Sequence, residues 1–88
     1  MPRWIVEWEP EALESLLVLE GKAARRLLRL VSDFAERPNA VDIERVPGSS
    51  YWYLYAPEVP GCRVLVSIDR YEEATVVAVS SVHFLGAR

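Results

Sequence analysis

At 88 residues the chain is expected to form one domain, 1–88, with a single hydrophobic core. Its 51% hydrophobic and 26% charged content is that of an ordinary globule, and no 18-residue apolar run exists to make a helical membrane span. The net charge of −3 argues against capture of nucleic acid by bulk charge, because such affinity rests on displacing counterions from phosphates. A lone cysteine, Cys62, excludes an intramolecular disulfide and points to a reducing, cytoplasmic setting. Met1-Pro2-Arg3-Trp4 has neither the basic lead nor the apolar run of a signal peptide.

In chain order, residues 4–8 alternate and are rich in β-branched and aromatic side chains, which predicts a first strand. Trp4, Val6 and Trp8 share one face of it, and Ile5 and Glu7 the other. Glu9-Pro10-Glu11 opens a helix, since proline is tolerated in a first turn and the acids suit the positive end of the dipole. Leu13, Leu16 and Leu17 form its apolar stripe before Gly21 interrupts. A second helix over 22–37 carries Ala24, Leu27, Leu28, Val31, Phe34 and Ala35 at helical spacing. Its opposite side bears Lys22, Arg25, Arg26 and Arg29, which read first as a solvated face and second as a site for an acidic partner or nucleic acid.

From Ala40 the hydrophobic period drops to two. A short strand is predicted over 41–46, a turn over 47–50, and an aromatic strand over 51–55 with Tyr51, Tyr53 and Tyr55 on one side. A proline-bearing loop, 57–61, leads to a strand over 62–69. That strand sets Val64, Val66 and Ile68 on one face and Arg63, Leu65, Ser67 and Asp69 on the other. The last strand, 74–84, is apolar on both faces, which places it centrally in a sheet; 86–88 form a tail. Short turns make consecutive strands antiparallel. The expected fold is α+β: an N-terminal β-strand and helical hairpin packed on a curved antiparallel sheet of about four strands, with the other sheet face left open.

One His and one Cys give no metal-ligand cluster, so no metal or cofactor is expected. Glycine-rich phosphate loops, nucleophile elbows and dinucleotide fingerprints are absent as well. What remains is polar residues on strands facing away from the helices. His83 is assigned to the face of Ser81 and Val79, with a parity compatible with Arg63. Histidine, arginine and a carboxylate on one sheet suit phosphodiester cleavage: His83 moves a proton, Arg63 holds phosphate, and Glu44 takes a proton from a 2′-hydroxyl. The tyrosines suit base stacking. The plainer alternatives are a partly buried strand histidine and a row of cross-strand aromatic packing.

Several stretches together resemble the RelE/ParE toxin superfamily, small bacterial toxins of type II toxin–antitoxin systems. They are Trp4-Ile5-Val6-Glu7-Trp8 with Pro10-Glu11-Ala12, a hairpin ending Phe34-Ala35-Glu36-Arg37-Pro38, then Arg45-Val46-Pro47-Gly48 and the aromatic strand. Arg63-Val64-Leu65 running to Ile68-Asp69 and a final Val82-His83-Phe84 complete the series. The resemblance spans nearly the whole length. It implies a small curved antiparallel sheet backed by a helical hairpin, and an antitoxin partner that wraps the toxin. It further implies either ribosome-dependent mRNA cleavage without metal or, at the ParE end, inhibition of DNA gyrase. By position it assigns Arg63 to the scissile phosphate, His83 to proton transfer and Glu44 to the catalytic glutamate. Tyr51, Tyr53, Tyr55, Arg45 and Phe84 are the accompanying substrate-binding candidates. Phe84 stands where a tyrosine is expected, and 51–55 lacks the family's usual arginine or lysine. The competing expectation is a catalytically silent module. In it, Tyr51, Tyr53 and Tyr55 with Trp4 or Trp8 bind an antitoxin-like peptide or a second copy in a homodimer.

Overall fold

The structure, a computed structural model, describes residues 3–19, 21–55, 59 and 61–84. Most of the 57–61 loop and the 86–88 tail, both anticipated from sequence, lie outside the described residues. The first strand, β1 (Arg3–Trp8), is followed by helix α1 (Pro10–Leu17) and helix α2 (Gly21–Glu36). After a single 3₁₀ turn at Pro38–Ala40 come β2 (Ile43–Arg45), β3 (Tyr51–Tyr55), β4 (Cys62–Arg70) and β5 (Ala74–Phe84).

Pro10 begins α1 behind an extended Glu9, and Glu11 lies in the first turn, as the sequence signals required. The buried stripe differs from the one expected. Ala12 and Leu16 face the sheet, while Leu13 is exposed and Leu17 is 84% exposed. Ala12 has almost no side chain, so the helix can approach β5 closely on that side. α2 lies over β1 and buries Leu27, Val31, Phe34 and Ala35, while Leu28, expected in the stripe, is exposed. Trp4 stands edge-on to Phe34, with ring centroids 6.0 Å apart at 89°, and thereby fixes β1 beneath α2.

The strands form one five-stranded sheet in the order β1-β5-β4-β3-β2. β2 through β5 pair antiparallel, whereas β1 runs parallel to β5, with Val6 opposite Val77. The sheet is therefore mixed and has five strands, where an antiparallel one of about four was expected. The helical hairpin carries the chain from β1 at one edge to β2 at the other, and β3, β4 and β5 then return across the sheet until β5 lies beside β1. β5 thus has neighbours on both sides, in keeping with its apolar character. The β2–β3 turn is closed by the Ser49 hydroxyl, which donates to the Val46 carbonyl (2.8 Å) and accepts from the Tyr51 N–H (3.1 Å). Gly48 takes a φ of +74° there, and Gly61 a φ of +78° before β4; both lie in the left-handed region where a side chain would strain the turn.

The pairing of β4 with β5 contains one irregularity. Leu65 is opposite Ser81, but Val66 is opposite Val79, so Ser80 is an extra residue on β5. Before it, Thr75, Val77 and Val79 point into the core; after it, Val82 does. The assignment of Val79 to the face of His83 is accordingly corrected. Val79 is 0% exposed beneath the helices, and the bulge turns Ser81 and His83 to the opposite side.

Candidate functional site

The face of the sheet turned away from the helices collects the polar residues of four strands. Arg63, Leu65 and Ser67 alternate there with the core residues Val64 and Val66. Tyr51, Tyr53 and Tyr55 come to the same face because they pair with Ser67, Leu65 and Arg63. Glu44 arrives opposite Tyr53, and His83 opposite Arg63. Tyr55, Arg63 and His83 therefore form one row across β3, β4 and β5.

Tyr53 lies at the centre of this group. The Arg63 guanidinium carbon sits 3.9 Å from the centre of the Tyr53 ring, a stacked cation–π contact. The His83 ring meets Tyr53 edge to face at 5.7 Å and 90°. Ser81 Oγ lies 2.8 Å from His83 Nε2, which fixes the orientation of the imidazole. On the other flank, the Tyr55 hydroxyl donates to Glu44 Oε1. That bond to a carboxylate is the main reason the Tyr55 phenol is raised above its ordinary pKa of 10.0. Burial adds to the rise, and Arg63 opposes it.

Arg63 Nε is buried and has no hydrogen-bond partner. An unpartnered buried donor of this kind costs about 1–3 kcal/mol. The arrangement thus offers a cation, an imidazole, and a phenol joined to a carboxylate, all on one open surface.

Six of the eight sequence-derived site residues share this face: Arg63, His83, Glu44, Tyr51, Tyr53 and Tyr55. Two do not. Arg45 pairs with Trp52 and points to the helix-bearing side, where its guanidinium sits 5.7 Å from the Trp52 ring centre and donates to the Ser49 carbonyl (3.3 Å). Phe84 pairs with Cys62 and so also lies on the helix-bearing face, 43% exposed at the strand end. Alternation places both on the wrong side, because each is one residue away from a site member. Trp4, Val6 and Trp8 pack against the core, so neither tryptophan extends the tyrosine face. Lys22, Arg25, Arg26 and Arg29 line the outer side of α2, across the sheet from Arg63.

Cys62 neighbours Arg63 in sequence but faces the core at 5% exposure, and burial pushes its thiol pKa up. Burial therefore disfavours its thiolate, the nucleophilic form. Among the described residues, no three His, Cys, Asp or Glu side chains gather as metal ligands. No described helix is long and apolar enough to cross a membrane.

Sequence reasoning singled out neither Ser81 as the partner of His83 nor Ser80 as a bulge. A signal existed: Ser80-Ser81 is the one pair of adjacent polar residues interrupting the apolar run from Thr75 to Val82.

A helical hairpin on a five-stranded mixed sheet is an architecture this chain shares with solved toxin–antitoxin structures. The RelBE2 toxin–antitoxin complex of Mycobacterium tuberculosis matches with a TM-score of 0.70 at 19% identity, over 96% of this chain and 99% of that one. The archaeal RelE–RelB complex of Pyrococcus horikoshii matches at 0.71 and 14% identity, over 97% and 98%. The intact RelBE complex of E. coli matches at 0.70 and 20% identity, over 96% and 98%. No protein-family profile and no curated protein sequence matches the chain. The resemblance read from the sequence holds at the level of fold.

Proposed function

We propose that the protein is the toxin of a toxin–antitoxin pair and cleaves mRNA on the ribosome, by attack of an RNA 2′-hydroxyl on the adjacent phosphate. The observation that carries this reading is the row Tyr55–Arg63–His83 on an uncovered sheet face. Arg63 binds the phosphate and offsets the charge that develops on it during attack; removing such a donor costs about 10²–10³-fold in rate. His83, oriented by Ser81, transfers a proton near neutral pH. Tyr53 and Tyr51 present ring surface on which bases stack. The partner is an antitoxin, the kind of protein found with RelE in the solved complexes of similar fold, and the setting is the cytoplasm.

Induced expression tests the reading. Growth arrest that disappears with Arg63→Ala, in a protein that still folds, supports it; absence of arrest contradicts it.

One observation favours a second reading, a silent binding module. Tyr53 covers the Arg63 guanidinium, and the tyrosine strand supplies no further cation. In this case the tyrosine face binds an antitoxin-like peptide or a second copy of the chain. Light scattering on the purified protein, with assay for cleavage, separates the two.

A further inference from the structure

The carboxylate of Glu44 already has a partner. It accepts the hydroxyl proton of Tyr55, and Tyr55 is the cross-strand neighbour of Arg63. Glu44 lies on β2, two strands from Arg63, whereas Tyr55 lies on the adjacent strand, and both Arg63 and Glu44 act on its hydroxyl. A hydroxyl attacking a phosphate held by Arg63 must be close to that phosphate, and the phenol is the nearer group. Building on the nuclease reading above, we infer that Tyr55 meets the attacking 2′-hydroxyl and that Glu44 acts through Tyr55, as the final proton acceptor, without touching the RNA.

The chemistry balances. The 2′-oxygen forms its bond to phosphorus while the bond from phosphorus to the 5′-oxygen breaks. The 2′-hydroxyl proton passes to the Tyr55 oxygen as the Tyr55 proton passes to Glu44, so no charge accumulates on the phenol. The departing 5′-oxygen takes a proton from His83. The products are a 2′,3′-cyclic phosphate and a 5′-hydroxyl, and Glu44 and His83 return to their starting states by exchange with water. At rest the phenol keeps its proton, because the bond to Glu44 favours the protonated form. Phe84 supplies no hydroxyl and faces the other side of the sheet, which leaves the tyrosines of β3, of which Tyr55 is hydrogen-bonded to a carboxylate and paired with Arg63.

Single-turnover cleavage on programmed ribosomes by wild type, Tyr55→Phe, Glu44→Gln and the double variant tests this relay. Tyr55→Phe removes one oxygen and keeps the ring. Glu44→Gln keeps a hydrogen-bond acceptor for Tyr55 and removes only the ability to take a proton. Each single variant should cleave about 100-fold more slowly at an unchanged half-saturating ribosome concentration. The double variant should be no slower than either single one. Melting and circular dichroism establish that each variant is folded, and Tyr55→Met, which also lacks the hydroxyl, takes the place of Tyr55→Phe if the latter is not. A normal rate for Tyr55→Phe beside a slow Glu44→Gln means that Glu44 acts directly, and overturns the relay. A normal rate for Glu44→Gln reduces Glu44 to a support for Tyr55 and overturns it equally. In both cases the nuclease reading stands; wild-type protein that cleaves nothing overturns the two together.

Discussion

Arg63 and His83 are direct cross-strand partners on the face of the sheet that no helix covers, and one extra residue earlier in β5 makes this so. The side chains of Thr75, Val77 and Val79 define the core parity of β5, and uninterrupted alternation would carry His83 into the core with them. Ser80 is the inserted residue that reverses the parity. Its deletion should close the ladder into regular pairing, with Val82 still buried and His83 still opposite Arg63, so the variant should melt close to wild type. A loss of about 1.5–3 kcal/mol, the cost of exposing a valine such as Val82, would contradict the bulge.

The contact between Tyr53 and Arg63 should carry measurable energy. A double-mutant cycle with Tyr53→Leu and Arg63→Met, followed by urea denaturation, should give a coupling of about 1 kcal/mol. Strict additivity of the two changes would show that the ring and the guanidinium do not interact in solution.

Tyr55 ties stability to alkaline pH. Its folded pKa is raised by Glu44, so the native state holds the phenolic proton more tightly than the unfolded chain does. The stabilisation is fully present below the ordinary tyrosine value of 10 and is lost as pH rises through the folded value. Denaturation of wild type and Tyr55→Phe between pH 8 and pH 11 should therefore show a steeper alkaline decline for wild type. Equal slopes would remove Glu44 from contact with the phenol.

Cys62 should behave as a core residue. Its thiol is buried and held in the protonated form, so a thiol reagent should modify the native protein far more slowly than the urea-unfolded chain. Equal rates would place the thiol at the surface.

Much of this architecture was legible in the residues. Trp4, Val6 and Trp8 alternate strongly enough to mark β1 and its buried face, and the spacing of Leu27, Val31 and Phe34 marks α2. The tyrosine row and Arg63 also fell on the face where they are found, since simple alternation holds through β3 and β4. Two features were not legible, each for a physical reason. The parallel placement of β1 beside β5 depends on which edge of the sheet each strand joins, which no local pattern encodes. The stripe of α1 was read from its leucines, but the sheet selects Ala12 for closeness of approach and leaves Leu17 in water. Arg45 and Phe84 were placed by motif position, although alternation sets each on the face opposite its neighbour, Glu44 or His83.

We propose that the open face cleaves RNA through Arg63 and His83. The most direct measurement is cleavage of mRNA on programmed ribosomes by wild type, Arg63→Ala and His83→Ala, each shown to be folded. The account predicts discrete cleavage by wild type, with each substitution slowing it by about 100-fold or more. Intact mRNA with wild type, or cleavage undiminished by Arg63→Ala, would contradict it.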